Sequence, residues 1–105
     1  MAIIRGKFKR TLAPWEQQRQ EWGIDRDFYS LVHKAIWDIA RGGAEFKSDI
    51  YAPSYDFLVN KGLLEHFERD ISEDITWQFV HLSDTGIQIA NRIFPSKNFH
   101  KFIPQ

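Results

Sequence analysis

The stretch Tyr51–Phe94, YAPSYDFLVNKGLLEHFERDISEDITWQFVHLSDTGIQIANRIF, decides how the rest of the chain is read. Tyr55, Leu58 and Val59 recur at i, i+3 and i+4, and Gly62 follows where a helix needs a C-terminal residue that tolerates positive φ. This predicts a helix from Pro53 to Lys61. LEHFER and ITWQFVHL, rich in aromatic and β-branched residues, flank the polar turn Asp70-Ile71-Ser72-Glu73-Asp74 and predict a β-hairpin. Ser83 is a good N-cap for DTGIQIANRIF, and Pro95 closes that helix.

Before this stretch, Asp25 or Asp27 caps a predicted helix from Phe28 to Arg41. Its face is Phe28, Leu31, Val32, Ala35, Ile36 and Ile39, and Gly42-Gly43 ends it. Beside that face runs a second stripe, Tyr29, His33 and Trp37 at i, i+4 and i+8. It stays at the surface, is covered by the Trp15 helix, or meets a second subunit. Further upstream, Thr11 and Pro14 open a short helix reaching about Trp22, with Trp15, Arg19 and Trp22 on one side. The two indoles clamp this segment onto the domain, and Arg19 can stack on either ring. Residues 44–52, AEFKSDIYA, are ambiguous: a single helical turn, or a strand that pairs with the hairpin.

The order of "FLVNKGLLE", then the hairpin, then "HLSDTGIQIANRIF" resembles the winged-helix family of the helix-turn-helix superfamily over roughly residues 28–94. In that family the first phrase is the end of the recognition helix, the paired strands are the wing, and a Leu-Thr-x-x-Gly phrase opens the next helix. Here that phrase stands as Leu82-Ser83-Asp84-Thr85-Gly86. The resemblance implies an α+β fold of three main helices and a wing, to which this chain adds an N-terminal segment and short helix. Residues 1–105 then form one domain with a basic arm (1–12) and a tail (95–105).

Composition bounds the function. The chain of 105 residues carries 14 basic and 14 acidic side chains, but unevenly. Arg5, Lys7, Lys9, Arg10 and Arg19 outweigh Glu16 in residues 1–20, whereas Glu65, Glu68, Asp70, Glu73, Asp74 and Asp84 outweigh Arg69 and Arg92 in residues 64–94. A DNA-binding regulator, as the family resemblance suggests, would use Arg5, Lys7, Lys9 and Arg10 on phosphates, with Asn60 and Lys61 reaching a groove. Asp56 beside outward Phe57 opposes this, and so do the wing-tip acids Asp70, Glu73 and Asp74, because cations supply much of the affinity for nucleic acid. Contact with RNA or a ribonucleoprotein is a further alternative, through a loose resemblance of the C-terminal half to a winged-helix ribosomal protein.

The favoured expectation is a non-enzymatic protein-binding or adaptor module, regulatory in role, meeting another protein or a second copy. Its contacts are Asp56, Phe57, Tyr29, His33, Trp37, Asp70, Glu73 and Asp74. No cysteine nucleophile, GxSxG elbow or phosphate-cradling glycine loop is present, and His33, His66, His81 and His100 lack metal-ligand spacing. We therefore expect no cofactor, metal or catalytic residue. Without cysteine, a long apolar run or a secretory leader, the sequence points to a cytoplasmic protein with no membrane partner.

Overall fold

Asp25 accepts the Phe28 N–H on Oδ1 at 2.7 Å, which caps the longest helix of the protein and fixes where its apolar face begins. The computed structural model describes residues 11–105. Along them run α1 (Pro14–Trp22), α2 (Arg26–Gly42), β1 (Glu45–Phe46), a 3-10 turn (Lys47–Asp49), α3 (Ala52–Asn60), β2 (Leu64–Ser72), β3 (Ile75–Leu82) and α4 (Asp84–Ile93). The three strands form one antiparallel sheet in the order β1-β3-β2. The result is a mixed α+β domain, as the sequence implies at that level. The expected arm residues Arg5, Lys7, Lys9 and Arg10 lie outside the described residues.

Val32, Ile36 and Ile39 of α2, Leu58 of α3, Leu63, Val80 and Leu82 around the hairpin, and Ala90 and Ile93 of α4 make the core. Leu31, expected on the same face, remains 41% exposed. The hairpin joins this core through two linked features. Gly62 takes φ 71°, ending α3 as the sequence predicts, and the chain turns directly into β2. Gly86 then sits so close to that turn that a Cβ there would lie 2.3 Å from the Leu63 carbonyl oxygen. The Leu82–Gly86 phrase is thus a packing device, with Ser83 N–H donating to the same Leu63 oxygen at 2.9 Å.

Several local expectations are corrected. Residues 44–52 combine both alternatives: Glu45 and Phe46 pair with Val80 and Phe79, and the chain then closes one 3-10 turn. The hairpin turn is Glu73–Asp74, and a bulge displaces the register between Asp70 and Ser72. A turn centred on Ser72 would set His66 against Gln78 or Phe79. Moving the centre by one residue moves each partner by two, so His66 faces Val80 and Glu65 faces His81. On α3, Val59 is 42% exposed, whereas Phe57 is half-buried. Phe57 meets Trp22 and Phe28 edge-on at 5.1 and 5.6 Å, so α1 adds an apolar wall on the side that helical spacing alone leaves to solvent.

The helix cap of α1 is Ala13 rather than Thr11, its N–H donating to Glu16 Oε1 at 3.1 Å. Arg19 donates to the Ile24 carbonyl at 3.0 Å instead of stacking on an indole. Arg92 ties α4 to α1 by donating to Gln18 and Glu21 at 2.8 and 2.5 Å. The C-terminal tail covers part of the sheet face turned away from the core. Phe102 stacks on Phe67 at 5.5 Å and approaches the His81 ring at 5.7 Å. Asn91 holds the tail by a two-way amide contact, donating to the Phe99 carbonyl at 3.1 Å and accepting the Phe99 N–H at 2.7 Å.

Candidate interaction surface

The Tyr29, His33 and Trp37 stripe is covered within the chain. Tyr29 is 2% exposed beneath Trp15 and Trp22, with ring centroids 5.8 and 6.2 Å away. Its hydroxyl is buried without a hydrogen-bond partner among the described residues, and burial pushes its pKa up to about 12. His33 packs edge-on against Tyr29 and Phe94, and burial lowers its pKa. Trp37 lies against Phe94 and Phe99. Of the alternatives for this stripe, cover within the chain is the one seen, complete at Tyr29 and partial at His33 and Trp37. α1 closes one end of the stripe and the tail closes the other, because both segments carry large aromatic rings.

Among the described residues, a different surface is open around α3 and the β2–β3 hairpin, the segment expected to form a wing. Asp56, Asn60 and Lys61 are exposed, and the Lys61 ammonium lies 5.5 Å from the Phe57 ring centroid. At the wing tip Asp70, Glu73 and Asp74 are exposed, with the Thr76 hydroxyl donating to Asp70 at 2.8 Å. Ile71 and Ile75, each 49% exposed, flank these acids, and Trp77 is 42% exposed one step further along β3. The sequence places Ile75 and Trp77 in the strand run ITWQFVHL and Ile71 in the polar turn, with no partner contact assigned to any of the three. The bulge and the length of the hairpin carry the three beyond the reach of the core. Their alternation with polar residues was visible, but it is the ordinary signature of a half-buried strand.

Where the wing meets α3, a groove of about 500 Å³ opens between Phe46, Ile50, Tyr55 and Trp77. Lys47 reaches across it, 5.2 Å from the Tyr55 ring centroid and 3.4 Å from Gln78 Oε1. Tyr55 is itself anchored to β2 by a 2.6 Å hydrogen bond between its hydroxyl and His66 Nε2. The groove was not anticipated from sequence. It requires the chain to leave strand pairing for the 3-10 turn directly after the Phe46–Phe79 pair.

A second unanticipated cluster joins the sheet to the tail. Lys101 Nζ lies 3.0 Å from Glu65 Oε2 and 3.5 Å from Asp84 Oδ1, and the hydrogen bond it donates to Glu65 leads the upward shift of its pKa. Buried His81 has Nδ1 3.0 Å from the Leu82 carbonyl, while Nε2 is 3.5 Å from Glu65 Oε1. The arrangement fastens Lys101 over the sheet. Among the described residues, no three histidine, aspartate or glutamate side chains converge as a metal site, and no helix is long and apolar enough to cross a membrane. No protein-family model, curated protein or solved structure matches the chain.

Proposed function

We propose that this chain is a non-enzymatic protein-binding module on a winged-helix frame, serving as an adaptor or regulator in the cytoplasm. The element order from α2 through β1, the short turn, α3 and the hairpin to α4, with sheet order β1-β3-β2, supports that frame. The observation that carries the binding role is the wing: Ile71, Ile75 and Trp77 expose apolar surface beside Asp70, Glu73 and Asp74. Phosphates repel such a tip, whereas a protein surface can cover its apolar part and pair its acids at the rim. Asp56 extends the acidic character onto α3, and Phe57 contributes by positioning that helix against α1 rather than by open contact.

Duplex DNA is the alternative partner, favoured by one observation: Asn60 and Lys61 stand exposed together at the end of α3. A titration of random-sequence duplex DNA at low and physiological salt separates the two readings. Protein binding predicts at most weak affinity that salt erases and that depends on the basic residues Arg5, Lys7, Lys9 and Arg10. Tight binding with a steep salt slope, abolished by Lys61→Glu, would replace this proposal with the DNA-binding one. Parallel titration with structured RNA tests the ribonucleoprotein alternative in the same way.

A further inference from the structure

β1 pairs with β3 only through Glu45–Val80 and Phe46–Phe79, so among the described residues the same edge of β3 has no strand partner from Ile75 to Gln78. The chain departs there into the 3-10 turn, and the apolar groove opens along the free edge. Trp77 and Phe46, with ring centroids 5.0 Å apart, wall it on one sheet face. Tyr55 and Ile50 wall it on the other. An extended chain laid along β3 would direct alternate side chains to these two walls while its backbone met the open strand edge. The free edge and the two-walled groove therefore suit the same kind of ligand.

Lys47 adds a charge preference. It is the one charged residue lining the groove among the described residues, and no described carboxylate lies within ion-pairing distance of its ammonium. Its neighbours are the Tyr55 ring and the Gln78 amide oxygen. A carboxylate on the incoming chain would complete this rim, while a cation would be repelled by it.

We propose that the groove binds an extended apolar peptide segment of a partner protein by strand addition to β3, with one acidic side chain or a C-terminal carboxylate meeting Lys47. This inference rests on the protein-binding reading and assigns it a site and a ligand class. It also gives Trp77 the role of principal anchor, since a half-exposed indole in a groove can be desolvated on binding.

A random library of short linear peptides displayed on phage and selected against the full chain tests the proposal, with the recovered peptides synthesised and titrated by Trp fluorescence and amide chemical shifts. The expected ligands alternate apolar residues and carry a carboxylate. They shift the amides of Phe46, Lys47 and Ile75–Gln78, lose affinity about tenfold or more with Trp77→Ala, and lose about fivefold with Lys47→Glu. Arg41→Glu, the same charge change at the C-terminal end of α2 and outside the groove lining, leaves affinity unchanged. Lys47→Glu gives up only the contacts with the Tyr55 ring and Gln78, none of them in the core, and keeps the test valid if Trp77→Ala weakens the fold. Peptides that bind without sensitivity to either groove variant would overturn the site while leaving a protein-binding role intact. Recovery of basic peptides, or of none, would overturn the ligand class. Tight, Lys61-dependent duplex binding is the separate result that removes the underlying reading.

Discussion

The Ser83 hydroxyl donates to the Gly62 carbonyl at 2.8 Å and accepts the Gly86 N–H at 3.1 Å, so one side chain closes the end of α3 and the start of α4 together. Ser83→Ala loses the cap and leaves the Gly62 carbonyl without this partner, a cost of about 1–2 kcal/mol. Gly86→Ala costs more, because its Cβ must displace the Leu63 backbone rather than a flexible side chain. Urea denaturation of both variants checks the order, and equal loss would place the constraint elsewhere.

Tyr29 buries a hydroxyl with no hydrogen-bond partner among the described residues, so Tyr29→Phe removes an uncompensated polar group while keeping the ring under Trp15 and Trp22. We expect stability to hold or rise by up to about 1 kcal/mol. The folded pKa near 12 exceeds the ordinary value of 10.0, so tyrosine's stabilising preference for the neutral form is complete below 10.0 and disappears as pH rises toward 12. Tyr29→Phe should therefore unfold less readily in alkali than the parent protein. A destabilised variant at neutral pH would reveal a partner for the hydroxyl.

His33 carries the opposite sign. Burial between Tyr29 and Phe94 lowers its pKa from 6.5, so the unfolded chain takes up a proton before the folded chain does. Its contribution is complete above 6.5 and is lost as pH falls from there through the folded pKa. Replacing the ring by phenylalanine should flatten this part of the stability profile. Denaturation midpoints of the parent and His33→Phe, measured from neutral pH down to about pH 5, provide the comparison. Parallel slopes would assign the acid sensitivity to other groups.

Asn91 fixes the tail through both Phe99 backbone groups, which places Phe99 against Trp37 and Phe94 and lets Phe102 reach Phe67. Asn91→Ala removes both hydrogen bonds and should cost about 1–3 kcal/mol if the tail contributes to global stability. Hydrogen exchange distinguishes global loss from local release. Protection should fall first at Phe99, with Phe67 and Phe79 gaining exposure together. Unchanged protection there would mean that the aromatic stack holds the tail without the amide clamp.

The sequence by itself determined the helices whose signals are local. Asp25 and Ser83 cap their helices through nearby N–H groups, Gly62 adopts the conformation its position demands, and the hairpin follows from two β-rich runs around a polar turn. Tertiary structure decided which aromatic stripe was free. Helical spacing placed Tyr29, His33 and Trp37 together, but only the arrival of α1 and the tail covered them. The same long-range packing turned Phe57 inward, left Val59 outside, and opened the groove beside Trp77 when the chain left β3 after Phe46. Periodicity records where side chains lie around one element; burial depends on which distant element reaches that side, and hydrophobic contact is too non-directional for local spacing to encode the choice.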